Sequence, residues 1–475
     1  MTYKEKLKEL GWKKIIALTV LAAIDMFIIA MPYYIKSAIP NFYLRMHVDE
    51  SVLLQAGAII GWVTLISQIP GGWLADRFSN KILLLIGIAS TFAGGVWFSM
   101  LIMFGEGMAY LDVQYYIIFT LWGISTTPFF WAPLWKLVSQ QTTKENQGLA
   151  YSIQGAFNGL VGFVITGLIG FFIITYSDMY IRENHPEYSN YLVGGYMLLF
   201  CFMMLILFIA LIVFVQEKRT KETNATSFKT LIRVMSDWRV WALSILLLGM
   251  YMFQSTFTYY LNQLIANTVL TKIGLSTSIL TILFAFRIYG LRILVGGVLS
   301  KFSDRMRSFV LALLITTGIG LILGMIMLFI PGFMDNAWMG YSKTGAIIAF
   351  VIMNVIFFML QICSWTMVTL RYAQQGEIWA PKNSYGTVTA VFSFIGFSSD
   401  AWFSQIGSIV VKQYEEVGVD GIKTTNPVAY QVMAIIGAVV CVIGILCGLA
   451  VYISNQRFNK KHGLTFHRWR EVQNV

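Results

Sequence analysis

The 475-residue sequence predicts an all-α membrane protein of twelve transmembrane helices, arranged as two pseudo-symmetric six-helix bundles. Three observations predict it. Hydrophobic residues make up 57% of the chain and charged residues only 12%, with a mean hydropathy of +0.68. Soluble proteins carry about 25% charged residues, so this chain cannot clothe a soluble globule of its size. Twelve apolar runs are long enough to cross a bilayer, and a short glycine-rich motif occurs twice, half a chain apart. The composition excludes a soluble enzyme, a nucleic-acid-binding protein and a disordered chain.

The runs lie at roughly 14–40, 50–74, 81–104, 113–135, 148–175, 193–215, 238–262, 275–300, 308–331, 345–370, 385–411 and 428–453. Each has the ~20 apolar residues that a helix needs to cross hydrocarbon. The longest segments outside them, 216–237 and 454–475, have 22 residues each, too few for a folded domain. The first run comes after Lys4, Lys6, Lys8, Lys13 and Lys14 and is too long for a cleavable signal. With the N-terminus placed inside, the cytoplasmic segments hold 25 Lys and Arg and the external loops 6, and the other three (Lys36, Arg287, Arg292) fall within spans. This asymmetry is the positive-inside pattern, and it accounts for the net charge of +11 without nucleic acid. Both termini are expected in the cytoplasm, with the protein in the cell (inner) membrane of a bacterium and monomeric.

After span 2 the chain reads Gly71-Gly72-Trp73-Leu74-Ala75-Asp76-Arg77-Phe78-Ser79. After span 8 it reads Gly296-Gly297-Val298-Leu299-Ser300-Lys301-Phe302-Ser303-Asp304-Arg305, 225 residues later. The most basic loop, 216–239, falls between. The expected organisation is therefore an N-terminal bundle (1–215), a basic cytoplasmic linker (216–237) and a C-terminal bundle with its tail (238–475). Repeated halves are characteristic of secondary transporters.

The stretch Gly72-x-x-x-Asp76-Arg77-x-Ser79-x-Lys81 resembles the signature loop of the major facilitator superfamily, with Ser79 where a second glycine is usual. The twelve-span layout extends the resemblance over the whole chain. Glu377, Pro381, Gly386-Thr387 and Gly396-Phe397-x-x-Asp400 also resemble, more loosely, a bacterial branch of it labelled YihN-like. The resemblance implies two rocking bundles around a central cavity lined by spans 1, 4, 7 and 10. It also implies a gate built from Gly72, Asp76, Arg77 and Lys81 and, in the second loop, Asp304 and Arg305. Physically, Gly71 and Gly72 let helices approach closely, Asp76 can accept from the start of a neighbouring helix, and Arg77 and Lys81 can pair with carboxylates.

A charge at membrane depth costs at least a few kcal/mol and marks a functional site by default. Five such groups stand out: Asp25 and Lys36 in span 1, Arg287 and Arg292 in span 8, and Asp400 in span 11. At about 1.5 Å per residue, Asp25 lies roughly 17 Å into span 1 and Arg287 about 18 Å into span 8, both near the midplane. Lys36 is eleven residues from Asp25, so an unbroken α-helix puts the two on one face, with Tyr33 and Ile29. Pro32 and Pro40 can kink that span. Arg292 lies roughly 140° around the helix from Arg287 and is expected to pair with an acid or reach headgroups. Asp25 and Asp400 are candidate proton carriers.

Span 7 presents Tyr251, Gln254, Ser255, Thr258 and Asn262 on one face, extended by Tyr259 and Gln263, and span 10 presents Asn354, Gln361 and Trp365. Trp122, Trp131 and Trp135 of span 4 can stack on a solute or face lipid, and the glycines of span 5 (Gly155, Gly159, Gly162, Gly167, Gly170) read as close helix packing. Lys36, Tyr33, Arg287, Gln254, Tyr259 and Gln361 are thus the candidate substrate-binding residues. No P-loop, His/Cys cluster or nucleophile–base constellation is present, so neither enzyme activity, cofactor nor metal is expected. Cys201, Cys363, Cys441 and Cys447 sit in apolar runs as small hydrophobes.

The function expected is secondary active transport of a small, anionic organic solute by alternating access, as proton symport or anion exchange. The partners are then the solute, a proton and the lipid bilayer. A proton-coupled multidrug exporter and a non-transporting sensor with a transporter-like body are the alternatives. Two arginines at membrane depth argue against the first, and the lack of room for an output domain argues against the second. The topology yields a direct test. Single cysteines at Asn190 and Lys343 are expected to react with an impermeant thiol reagent from outside, and one at Asn224 is not. The reverse pattern would overturn the span count.

Overall fold

The computed structural model describes residues 10–142, 147–181, 188–217, 228–292, 308–378, 385–417 and 423–461, with a few isolated positions between them. Among the described residues ten helices are long and apolar enough to cross a membrane. They are Trp12–Ala38 (span 1), Glu50–Gln68 (span 2), Asn80–Phe104 (span 3), Leu111–Gln140 (span 4), Ile153–Ile181 (span 5), Ser189–Phe214 (span 6), Trp238–Ile273 (span 7), Phe309–Phe329 (span 9), Lys343–Leu370 (span 10) and Val428–Lys461 (span 12). The two remaining expected runs are shorter or interrupted. Span 8 is described as the apolar helix Ser278–Gly290 with the residues just after it. Span 11 is split into Tyr385–Gly396 and Ser399–Gln413. Ser398 sits at the break, its hydroxyl turned back to the Ile395 carbonyl at 2.7 Å. The break places Asp400 in the first turn of a helix rather than mid-helix, a position where the helix dipole favours a carboxylate.

Several spans contain a π-helical turn, in which one extra residue is accommodated and the faces above and below rotate relative to each other. These turns are Ala30–Tyr34 in span 1, Thr127–Trp131 in span 4, Phe163–Ile169 and Ser177–Ile181 in span 5, Ala266–Leu270 in span 7 and Phe286–Gly290 in span 8. Pro32 and Pro128 explain two of them. Proline cannot donate to the carbonyl one turn back, so the hydrogen-bond ladder shifts register at that point.

Contacts group the chain into two compact units. Unit 1 comprises Met1–Glu222, Leu275–Ile293 and Ser404–Thr424, and unit 2 comprises Thr223–Gly274, Leu294–Phe403 and Thr425–Val475. In unit 1, span 5 and span 8 run antiparallel as a zipper. Going from the end next to the 182–187 loop inward, Thr175 donates to Ser278 (2.8 Å), Gly170 faces Thr281, Gly167 faces Ala285 and Gly162 faces the Tyr289 ring. A Cβ on Gly162 would lie 2.2 Å from Tyr289 Cε1, and one on Gly167 would lie 2.5 Å from the Ala285 methyl. The glycine face expected to pack closely does so at these three positions. A Cβ on Gly155 would meet open space. A short hairpin that the sequence did not announce pairs Glu415–Val417 with Lys423–Thr425. Lys423 ties it to Asp49, at the start of span 2, with an ion pair of 2.6 Å.

In unit 2, spans 7 and 12 touch backbone to backbone. A Cβ on Gly249 would lie 3.1 Å from the Cys441 Cα, and the Cys441 thiol donates to the Gly249 carbonyl at 3.0 Å. Spans 6, 9 and 12 expose large apolar side chains, among them Val213, Ile322 and Leu446, all more than half exposed. Such surface is a liability in water and the ordinary covering of a helix in lipid.

The zipper makes a stability prediction. Gly162→Val drives two methyl groups into the Tyr289 ring, and overpacking of this kind costs about 1–3 kcal/mol. A lowered melting temperature of the purified protein is expected, with partial recovery in the Gly162→Val, Tyr289→Ala double variant, which reopens the space.

Candidate functional site

The charged residues at membrane depth organise unit 1. Asp25 is 2% exposed and faces span 5. Its Oδ2 accepts from Gln154 Nε2 at 2.8 Å and from Asn158 Nδ2 at 2.9 Å. Asn158 also donates to the Ala22 carbonyl at 3.3 Å, and its Oδ1 accepts from Arg292 Nη1 at 2.5 Å. Arg292 thus bonds to the amide that also holds Asp25, which links the guanidinium to the carboxylate. Burying a carboxylate is tolerable only when donors surround it, and the two amides of span 5 supply them. Gln154 and Asn158 stand one helical turn apart. That i, i+4 polar pair among glycines was the available sign in the sequence, and it was missed.

Lys36 does not share this face. Its Nζ lies over Gly57 of span 2, 2.7 Å from where a Cβ would stand, and Ser404 of span 11 borders the same point. The turn at Ala30–Tyr34 lies between Asp25 and Lys36 and is the reason. Five residues wound as a π-turn rotate the rest of the helix by about a quarter turn relative to a straight α-helix. Tyr33 is held between two threonines, its hydroxyl 3.0 Å from both Thr64 Oγ1 and Thr126 Oγ1. Arg287 is fully buried in the π-turn of span 8. Tyr34 bridges the turns of spans 1 and 8, its ring 6.5 Å from Phe284 and 6.4 Å from Tyr289.

The remaining candidates belong to unit 2. Gln361 Nε2 donates to Thr258 Oγ1 at 2.8 Å, and its Oε1 is buried without a hydrogen bond among the described residues. Gln254 Oε1 is likewise buried without a hydrogen bond among the described residues. Tyr259 accepts from Gln263 at 3.2 Å. Asp400 accepts from the Tyr251 hydroxyl at 2.9 Å. Trp122, in unit 1, is not a stacking surface for a solute. It is fully buried, with its indole N–H on the Thr91 carbonyl at 3.3 Å.

The signature loop is built differently from its sequence reading. Only Gly71 makes a close approach, where a Cβ would sit 2.8 Å from the Pro128 Cα, and Gly72 faces open space. Asp76 forms an ion pair with Lys136 of span 4 rather than capping a helix. The helix start at Ser79-Asn80 is capped by Glu217, just past span 6: its carboxylate takes the Ser79 hydroxyl and, at 2.6 Å, the Asn80 amide. Lys81 donates to the carbonyls of Ile212 and Val215, both at 2.8 Å, and Arg77 lies over the Trp73 ring at 4.3 Å. Lys81 and Arg77 thus satisfy a helix C-terminus and an aromatic face.

Asp304 and Arg305 of the second loop, and Pro381, lie outside the described residues. The start of span 9, just beyond that loop, carries the same device. Glu377 accepts from the Ser308 hydroxyl at 2.7 Å and from the Phe309 and Val310 amides. Ser79 and Ser308 each also cap their own helix, at 3.3 Å to Ile82 N and 3.2 Å to Leu311 N. Burial pushes the Glu377 carboxyl up from its ordinary value, against the hydrogen bonds that pull it down.

The family model of the Major Facilitator Superfamily matches residues 15–404. The chain belongs to the major facilitator superfamily. It is 37% identical to an uncharacterized protein of Mycoplasma pneumoniae, described as an MG294 homolog, over 100% of this chain and 99% of that one. Among solved structures it is similar to a POT family transporter in complex with a thioalcohol-conjugated peptide (TM-score 0.61, 14% identity, 94% of this chain and 96% of that one). It is also similar to the nucleoside transporter NupG (0.63, 11%, 92% and 100%) and to a bacterial homolog of the lysosomal transporter Spinster (0.55, 13%, 94% and 96%). At these identities the likeness shows the fold alone. The protein is therefore a multi-pass membrane protein of a transporter family.

The paired helix-start carboxylates give a test. Glu217→Ala and Glu377→Ala each strip a cap from a helix start and leave backbone amides without an acceptor, at an expected cost of about 1–2 kcal/mol. A melting-temperature drop is expected for each, and Glu→Gln at either position is expected to recover part of it. Unchanged melting in both alanine variants would make the caps incidental.

Proposed function

We propose that the protein is a secondary active transporter of a small anionic organic solute, coupled to protons by symport or to a second anion by exchange. The single observation that carries this reading is the group of charges well inside spans 1 and 8 of unit 1, where Lys36, Arg287 and Arg292 accompany Asp25. Each such cation costs about 2.5–3.5 kcal/mol on insertion scales, which marks its position as a functional one. In this reading an anionic solute is drawn to Lys36 and Arg287. Tyr33 orients it from span 1, and Gln254, Tyr259 and Gln361 are the corresponding groups of unit 2. Asp25 is the first candidate for proton coupling and Asp400, tied to Tyr251, the second.

Transport in this reading proceeds by alternating access, with the six-helix halves 1–215 and 238–475 moving about the 216–237 linker. The Asp76–Lys136 pair and the signature-loop contacts serve as a gate. The protein works as a monomer in the inner membrane of a bacterium, with both termini in the cytoplasm. The related structures were solved with or named for solutes as different as peptide conjugates and nucleosides, so the fold leaves the choice of solute to side chains.

Purified protein is to be screened by thermal shift against sugar phosphates, sugar acids, sulfonates and carboxylates, with matched neutral compounds as controls. A true ligand at a hundred times its Kd stabilises by about 2.7 kcal/mol. Stabilisation is expected from one anionic class only. Arg287→Ala is expected to abolish it and Arg287→Lys to restore it in part, since lysine lacks the planar fork that grips an oxyanion with two bonds. Full ligand stabilisation in Arg287→Ala would remove Arg287 from the site, and with it the argument for an anion.

A further inference from the structure

The span 5–span 8 zipper ends in a polar tie at both ends. At the end next to the 182–187 loop, Asp178 accepts from Thr277 at 3.0 Å and forms an ion pair with Arg45. At the other end, near the basic loops, the tie is Arg292–Asn158–Asp25. Between them the described contacts are the Thr175–Ser278 hydrogen bond, glycines against side chains and the Phe163–Phe286 ring pair, none of which is an ion pair. Asn158 is 1% exposed, and its side-chain hydrogen bonds join span 1, span 5 and span 8. Asp25 commits one oxygen to this network, while its Oδ1 is buried with no hydrogen-bond partner among the described residues. An amide in this position transmits charge: its N–H binds the carboxylate while its carbonyl binds the guanidinium, so each contact polarises the other.

We infer that Asn158 is the positioning residue of a charge-operated clasp: a proton arriving on Asp25 loosens the hold of span 5 on Arg292 and frees the basic-side end of span 8. The inference rests on the reading of Asp25 as a proton-coupling group. The ionised carboxylate aligns Asn158 with its N–H toward span 1 and its carbonyl toward Arg292. A proton on Oδ1 removes the charge that fixes this orientation, and the Asn158 carbonyl then holds Arg292 less firmly. Among the described residues the titratable and charged groups that face Asp25 are Arg292, through Asn158, and the Tyr289 phenol, which lies within electrostatic reach of Asp25, Arg292 and Tyr34. Span 6, packed on the other side, offers Tyr196, whose hydroxyl is committed to the Ile165 carbonyl at 3.0 Å, and Cys201, which sits against Gly95. The zipper then opens from one end, because the Asp178 tie at the other end does not involve Asp25.

The test uses the full-length protein in liposomes, with spin labels on cysteines at Ala156 and Leu291 and with Cys447 replaced by serine. Pulsed electron resonance reads the span 5–span 8 distance against pH. The wild type is expected to show one short distance at neutral pH and a longer population that grows about tenfold on acidification. Asp25→Asn is expected to show the longer population at every pH. Asn158→Leu and, should that variant fold poorly, Arg292→Gln are expected to show it already at neutral pH and to lose the pH response. Wild-type distances and a wild-type pH response in Asn158→Leu or Arg292→Gln would overturn the clasp and leave the Asp25 reading standing. A retained pH response in Asp25→Asn would remove Asp25 as the titrating group, and the clasp with it.

Discussion

A carboxylate at membrane depth must be surrounded by donors, and much of unit 1 is set by how this chain meets that demand for Asp25. Span 5 supplies two amides one turn apart, so span 5 must lie against span 1 at that height. Asn158 has a carbonyl left over, and Arg292 fills it, so span 8 must lie against span 5 as well. Three spans from distant parts of the sequence are thereby brought into register by one charge. In water the same contacts would be worth little, because solvent would serve each group equally well. Where water is excluded, an unpaired partner is expensive, and the network becomes the condition for the helices to sit where they do.

Packing completes what the charge begins. The glycines of span 5 remove side-chain bulk along one line, and span 8 fills that line with Thr281, Ala285 and Tyr289. Helices in lipid gain nothing from burying apolar surface, so close fit and a few polar contacts must hold them together. The π-turns adjust the fit. They fall in spans 1, 4, 5, 7 and 8, among them the helices that carry Lys36 and Arg287. Each turn re-aims the side chains beyond it without breaking the backbone hydrogen bonding that hydrocarbon requires.

The repeat in the sequence is deeper in the structure than the motif that revealed it. Span 3 and span 9 both begin with a serine cap, and both receive a glutamate from a later part of the chain, Glu217 or Glu377. Neither glutamate lies in a repeated stretch of sequence. The likeness comes from a shared need: a helix start leaves amides without acceptors, and a later part of the chain supplies a carboxylate.

Composition, hydropathy and the alternation of Lys and Arg determined by themselves that this is a multi-span helical membrane protein, because a bilayer demands some twenty apolar residues per crossing whatever the packing. The signature loop pointed to the superfamily for a similar reason: it is local and contiguous. The charges at membrane depth were also visible one by one, since each is an isolated violation of an apolar run. Their partners were not. That Arg292 meets Asp25 through Asn158, that Asp76 meets Lys136 and that Glu217 caps span 3 depend on which helix faces which, and no periodicity within one helix records that. Lys36 shows the limit most directly. An unbroken helix would have turned it to the side of Asp25, and the π-turn around Pro32 carried it over Gly57 instead. Tertiary structure alone decided this, because the energy that selects a helix's local winding lies in its contacts with other helices as much as in its own residues.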